Sequence, residues 1–319
     1  MSVDRSSVRV GVVSGGLSHE RDISLQSGRK VQHALRSAGF ATSLHDLDGG
    51  FVAALRQGQF DVVFPMLHGG VGEDGGLQAL LERLDVPFVG SGSAPARRAA
   101  DKYLAGQALT AAGLTVPDTQ LMPVALFKEL GAAEVLDLLG FRMTFPLIVK
   151  PNSGGSSLGV RVVKHEAELA PALIACFAYC DVALVQRWVD GQEVAVGVID
   201  RGAGPTPYPP VLIHGTHDGV YDFEAHYSTG IISLSTPESV SGLSAGALGD
   251  VALRAFNALG LRDLGRVDLV VDGEGVPHVL EVAVTPGLTD TSVFPFGATA
   301  AGDPIAEWAT ALVTRALDR

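Results

Sequence analysis

Two cysteines in 319 residues, Cys176 and Cys180, leave no room for a disulfide framework. They stand four apart in an apolar, helix-like stretch, ALIACFAYC, where the plain reading is a pair of buried core thiols. No apolar run reaches membrane-spanning length. The N-terminus lacks a charged segment followed by an apolar core and a cleavage site, so no secretory signal is expected. Lysine and arginine nowhere cluster, and the net charge is −12, which argues against nucleic acid as a partner. Anions such as ATP stay within reach of local basic groups and backbone amides. Internal repeats and low-complexity segments are also missing. Charged residues make up only 18% against 47% hydrophobic, too apolar for disorder and enough for substantial cores. The expectation is a soluble, cytoplasmic protein of two or three packed domains, with neither membrane nor nucleic acid as partner.

The first 95 or so residues alternate strand and helix patterns. Val8 to Val13 is a β-branched run ending in Ser14-Gly15-Gly16. A helix follows with Leu25, Gly28, Val31 and Leu35 on one face and Gly39 as its stop. Ala41 to Leu44 and Asp61 to Met66 read as strands, Leu77, Leu80, Leu81 and Leu84 as a helix, and Val86 to Val89 as another strand. This is a doubly wound parallel sheet, in which ligands bind beyond the strand C-termini. The loops there hold Ser18, His19, Glu20 and Arg21, then His68 to Gly75, HGGVGEDG.

Asp101 starts a helix that stops at Gly113, and Thr115 to Asp118 is an X-Pro junction. Leu147 to Lys150 is a strand running into the loop Asn152 to Gly159, after which Val160 to Lys164 resumes the strand pattern. A Gly/Ser loop between antiparallel strands has little bulk and several exposed amides, so it suits phosphates, with Lys150 beside it as a point charge. An ordinary hairpin is the alternative. Val182 to Arg187, Glu193 to Ile199 and Val211 to His214 read as strands, and Tyr221 to Ser228 as an ordered surface loop. Leu243 to Leu259 reads as a helix capped by Ser241 or Ser244, and Pro304 to Leu317 as a helix with an apolar stripe.

The chemistry converges on Gly265 to Pro295. Asp268 begins an apolar strand, Asp272-Gly273-Glu274-Gly275 is a hairpin turn, and a second strand reaches Glu281. The two carboxylates sit on paired strands, with Arg266 on the same face two residues before Asp268. One cation and two hard oxygen ligands suit Mg²⁺ carrying a polyphosphate. A structural Arg–carboxylate cluster is the alternative.

Seven motifs in collinear order give the chain a resemblance to one family: Gly15 to Ser24 (GGLSHERDIS), His68 to Gly75, Asp101-Lys102, Phe145 to Val160 (FPLIVKPNSGGSSLGV), Tyr221 to Tyr227 (YDFEAHY), Gly265 to Asp268 (GRVD) and Leu280 to Thr289 (LEVAVTPGLT). The chain resembles the D-alanine–D-alanine ligases of the ATP-grasp superfamily over nearly its whole length. The resemblance implies an α/β protein, with α+β character in its C-terminal two-thirds, in three domains. These are an N-terminal α/β substrate domain (1–97), a central ATP-grasp domain (98–187) and a C-terminal catalytic domain (188–319), in a homodimer. It implies an acyl phosphate formed from ATP and one amino acid, then attacked by the amine of a second. By that resemblance Glu20, Ser156 and Tyr227 would hold the first ammonium, with His68 near them. Lys102, Lys150, Ser156, Ser157 and His226 would hold phosphates, Gln186 the adenine and Glu193 the ribose. Arg266 and the backbone at Gly287 would stabilise the tetrahedral oxyanion. Ser292, with Asp290 beside it, would receive the second amino acid's carboxylate. Asp268 and Glu281 would bind one or two Mg²⁺ ions.

The pattern is broken at several positions. Ala283 stands where the family carries the asparagine of a metal-binding Glu-x-Asn, which weakens a second ion site. His226 replaces a lysine, Gln186 a glutamate and Gly154 an acidic residue, and Asp290-Thr291 replaces Ser-His. The first reading is ligation of D-alanine to D-alanine for cell-wall precursors. Ala283 and Asp290 raise a second, a ligase for another amino acid or amine. Ala283 and His226 raise a third, a nucleotide-binding relative with weak turnover or none.

Overall fold

The computed structural model describes residues 4–142, 144–215 and 233–319. Three strands, β1 (Arg9–Ser14), β2 (Ala41–Asp46) and β3 (Val62–Pro65), form a parallel sheet in the order β2-β1-β3. β1 is buried on both faces after its first residue, as a central parallel strand must be when helices cover both sides. One face carries α1 (Arg21–Ser37) through Val31 and Leu35. The other carries α2 (Gly49–Arg56) and α3 (Gly76–Arg83) through Phe51, Leu77 and Leu81. Two expectations are corrected. Val86 to Val89 makes one bridge, Phe88 to Val63, because the chain leaves the sheet at once. Leu80 and Leu84 stay 42% and 50% exposed, since so short a helix turns only Leu77 and Leu81 inward.

Helices α4 (Ser93–Ala100) and α5 (Lys102–Ala111) lead out of this region. Asp101 caps α5 by accepting from the Leu104 N–H at 2.9 Å. A four-stranded antiparallel sheet follows, in the order β4 (Thr119–Pro123), β7 (Val182–Arg187), β5 (Leu147–Pro151), β6 (Arg161–Val163). Helices α6 (Val124–Leu130), α7 (Ala132–Arg142) and α8 (Leu169–Cys176) accompany it, with Leu169, Leu173 and Cys176 packed on Leu147, Val149 and Val185.

The largest sheet runs β11 (Ser233–Ser235), β10 (Val211–His214), β8 (Gly191–Asp200), β14 (Leu264–Asp272), β15 (Pro277–Ala283), with β9 (Pro205–Pro207) on β8. A two-stranded ribbon, β12 (Ser239–Val240) and β13 (Leu243–Ser244), precedes α9 (Ala245–Leu259). Ser244 is the cap of α9, which resolves the choice between it and Ser241. One face of the large sheet buries Val194, Val196, Val198 and Val267 against Leu248, Ala252 and Phe256 of α9. Part of its other face borders the cleft. Of the two last helices, α10 (Val293–Ala300) packs Val293 on Ala195, Val211 and Ile213 of the large sheet, and α11 (Ile305–Leu317) returns to the N-terminal sheet. Trp308, Leu312 and Val313 share one core with Val10, Val12 and Phe64.

Candidate functional site

Two adjoining cavities open where the three sheets meet. The first is lined by Glu20, His68 and Glu73 from the N-terminal loops, by Ser153 to Ser156, and by Arg266, Glu281, Ala283, Gly287 and Ser292. The second lies between the central and large sheets, lined by Ile148, Lys150, Ser157, Glu193, Asp268 and Leu280. Lys102, Ser153 to Gly155, Arg266 and Glu281 line both, so charge and loop amides gather at the junction.

Glu20 begins α1 and is 8% exposed. Its carboxylate accepts from the Ser156 hydroxyl, joining the N-terminal loop to the Gly/Ser loop. Space around it is tight. A side-chain carbon at Gly69, whose φ is +70°, would fall 2.8 Å from Glu20 Oε2, and one at Gly155 would fall 3.0 Å from Oε1. Ser156 and Ser157 both hold φ of 54°, a left-handed conformation uncommon for serine, and Ser156 spends it on the Glu20 contact.

His68 is 4% exposed and ties two parts of the chain together. Nδ1 lies 3.0 Å from the Thr285 carbonyl, which only accepts, so Nδ1 carries the proton. Nε2 then accepts from Ser27 Oγ at 3.0 Å, and Ser27 Oγ accepts from the Leu288 N–H at 3.0 Å. Burial lowers this imidazole to about 4, so it stays neutral. Its role here is a strut that orders residues 285–288.

Lys102 is seated by the phosphate loop itself. Its N–H donates to the Asn152 carbonyl at 2.9 Å, and the Tyr103 N–H donates to Asn152 Oδ1 at 3.0 Å. Its ammonium reaches the Gly154 carbonyl and lies 3.4 Å from Glu281. Lys150 is 7% exposed, with Nζ 3.5 Å from the Leu280 carbonyl. Burial lowers it to about 8, against the pull of the Glu281 charge.

Asp268 and Glu281 face each other across β14 and β15. The register shifts immediately after that pair, so that Leu269 opposes Val279 and Leu280 is the extra residue of a bulge. The bulge delivers both Leu280 and Glu281 to the cleft. Arg266 grips Asp268 with two bonds, 2.7 and 2.6 Å, and stands 3.8 Å from Glu281. Burial raises Asp268 despite Arg266. Burial also opposes ionisation of Glu281, but Lys102, Lys150 and Arg266 hold it down to about 2. The described residues contain no cluster of three or more metal-ligating side chains. A pair of carboxylates fits an ion that brings phosphate and water oxygens with it, as magnesium does, and does not fit an all-protein cage.

Two expected positions lie outside these two cavities. Asp290 lines neither cavity, because its exposed carboxylate turns outward to an ion pair with Lys30 of α1. Gln186 lies in a third cavity behind the cleft, beside Val116 to Thr119, and its amide donates to Thr119 Oγ1 at 2.7 Å. That cavity shares Lys102, Leu280 and Glu281 with the second. Tyr227 and His226 lie outside the described residues, with the loop expected at 221–228.

One group was overlooked. Glu73 accepts from the Gly69 N–H at 3.0 Å and lines the first cavity. Burial and the nearby Glu20 raise its affinity for a proton. An acidic residue inside the glycine-rich HGGVGEDG was the available signal, but no periodicity marked it.

Chains of known kind share this arrangement. The family model described as D-ala D-ala ligase C-terminus matches residues 109–314, and that described as D-ala D-ala ligase N-terminus matches residues 48–91. The D-alanine–D-alanine ligase of Pelotomaculum thermopropionicum is 35% identical over 98% of this chain and 97% of its own. That of Desulforudis audaxviator is 36% identical, over 98% and 99%. Among solved structures, the Bacillus anthracis D-alanine–D-alanine ligase complexed with ATP superposes with a TM-score of 0.79 at 26% identity, over 98% of both chains.

Proposed function

Because the chain belongs to the D-alanine–D-alanine ligase family, we infer that it joins two D-alanine molecules into D-alanyl-D-alanine at the expense of ATP. The observation that carries this reading is the junction of the two cavities. Amino acids and nucleotide meet there under Arg266, Lys102 and the Gly/Ser loop.

The first D-alanine presents its ammonium to Glu20 in the first cavity and its carboxylate toward the junction. That carboxylate attacks the γ-phosphorus of ATP, the bond to ADP breaks, and an acyl phosphate forms. Phosphoryl transfer asks for positioning and charge neutralisation more than for covalent help. Lys102, Lys150 and the amides of Ser153 to Ser157 supply these, and the apolar wall of Ile148 and Leu280 receives the base. Asp268 and Glu281 would hold magnesium, which when bound adds positive charge at the phosphates. The second D-alanine enters beside Ser292 at the N-terminus of α10, an end that favours its carboxylate. Its neutral amine attacks the acyl carbon. Arg266 and the Gly287 N–H face the oxygen that gains charge, and phosphate leaves as the tetrahedral centre collapses.

The outward turn of Asp290 to Lys30 favours D-alanine over a cationic second substrate, since no acidic wall is added to the cavity. The reading extends to a cytoplasmic homodimer that supplies dipeptide to cell-wall precursors. The test is phosphate release from ATP with Mg²⁺ and D-alanine, with mass spectrometry of the product. A dialanine mass is expected. Silence with D-alanine but a new condensation product from a pool of D- and L-amino acids would replace the substrate assignment.

A further inference from the structure

Cys176 and Cys180 line neither cavity of the site. Helix α8 ends at Cys176, and the chain turns through Phe177 to Tyr179 before β7. The turn brings Cys180 back over the helix end, with its Sγ 3.7 Å from Cys176 Sγ and 3.4 Å from the Cys176 carbonyl oxygen. Cys176 is buried in the central core, whereas Cys180 is only partly covered. The Cys176 thiol, with the N–H groups of Val182 and Asn152, lowers Cys180 to about 7 against the effect of burial. Cys180 and burial push Cys176 up. A partly exposed thiolate beside a buried thiol is the arrangement of an attacking and a resolving cysteine.

The surroundings connect this pair to the phosphate loop. Tyr179, next to Cys180, sets its ring edge-on to His19 of the N-terminal loop, 5.5 Å between centroids. On its other side it covers Gly159, where a side-chain carbon would fall 2.8 Å from the ring. Asn152, which donates to the Val182 carbonyl at 3.0 Å, seats both Lys102 and Tyr103. Displacing Cys180 therefore acts on the first and last residues of the loop at once.

We propose that Cys176 and Cys180 are a redox-modification site, a dithiol that peroxide closes to an intramolecular disulfide, loosening the phosphate loop and reversibly weakening ATP binding. The Cys180 thiolate attacks one oxygen of hydrogen peroxide; an S–O bond forms, the O–O bond breaks, and hydroxide leaves to become water. Cys176 sulfur then attacks Cys180 sulfur; the S–S bond forms, the S–O bond breaks, and the departing hydroxyl takes the Cys176 proton as a second water. Two thiols are oxidised and one peroxide is reduced. The S–S bond is shorter than the present separation, so it draws Cys180 inward, away from Asn152.

The effect on turnover rests on the ligase reading, but the thiol chemistry and ATP affinity do not. The full-length protein is treated with hydrogen peroxide and followed by thiol titration, peptide mapping and calorimetric titration with ATP. The expected result is loss of both thiols, a monomer lighter by two hydrogens, and a linked Cys176–Cys180 peptide. ATP affinity and ligase rate are expected to fall about tenfold, as ångström-scale displacement of a positioning loop allows, and to return with dithiothreitol. Cys176→Ser is expected to retain activity and to stop at a Cys180 sulfenic acid trapped by dimedone. Thiols that survive peroxide, or a disulfide that leaves ATP affinity unchanged, would overturn the proposal.

Discussion

Glu20 shows how one side chain can depend on three loops. It accepts from Ser156, stands against Gly69 and Gly155, and shares its cavity with Glu73. Glu20→Ala is therefore expected to raise the KM for the first D-alanine by tenfold or more, on the order of a lost charge-assisted bond, and to leave the KM for ATP within about twofold. Equal effects on both constants in steady-state kinetics would refute the assignment. Lys150 makes a second case through pH. Its ammonium is the phosphate-binding form, and burial lowers it to about 8, so kcat/KM for ATP is expected to fall as pH rises through that value. Bound triphosphate favours the ammonium, which moves the corresponding limb of kcat to higher pH. The folded state also binds this proton more weakly than the unfolded chain, so Lys150 favours folding progressively between about 8 and its ordinary 10.5. In Lys150→Arg, which does not titrate in this range, the limb in kcat/KM should vanish; an unchanged profile would assign it to another group. Ala283 lines the first cavity with a methyl two residues from Glu281, and Ala283→Asn, which adds an amide oxygen there, is expected to tighten the dependence of activity on Mg²⁺. A fall in activity instead would mean that the cavity requires the small side chain.

Secondary structure elements, more than single residues, set the junction. The β14–β15 hairpin was legible because an apolar run follows Asp268 and Asp272 to Gly275 is a strong turn signal. The bulge at Leu280 was not, because a register shift is a property of two paired strands and leaves no mark on either alone. The same limit hid the outward turn of Asp290, which depends on Lys30 lying 260 residues earlier in the chain. The start of α5 is another junction of elements. Asp101 as its cap was readable, but the second anchor, Asn152, comes from the phosphate loop. Asn152→Ala removes the acceptor for the Tyr103 N–H and is expected to cost about 1 kcal/mol of stability, a typical cap value. It should also raise the KM for ATP several-fold through Lys102. Thermal denaturation and the split between KM for ATP and for D-alanine check this, and an ATP constant that does not move would separate α5 from the loop.

Across the whole molecule, the sequence pattern identified the last helix and its apolar stripe but not what the stripe covers. Helices announce their buried face by periodicity, whereas the partner is chosen by topology. Here Trp308, 1% exposed, enters the core of the first sheet with Val10 and Val12. Trp308→Ala is expected to cost about 3–5 kcal/mol, as loss of a buried aromatic does. Hydrogen exchange at the amides of β1 should quicken with that of α11. Protection of β1 that survives the substitution would show that the first sheet is stable without the tail. The shared core has a further meaning for how the protein is made. Domains ordinarily fold in turn as they leave the ribosome, the first before the last. In this chain the opening sheet emerges early, but the face that α1 covers is completed only by the closing helix, nearly three hundred residues later. For most of its synthesis the nascent N-terminal region therefore holds Val10, Val12 and Phe64 only partly covered, under α1 alone.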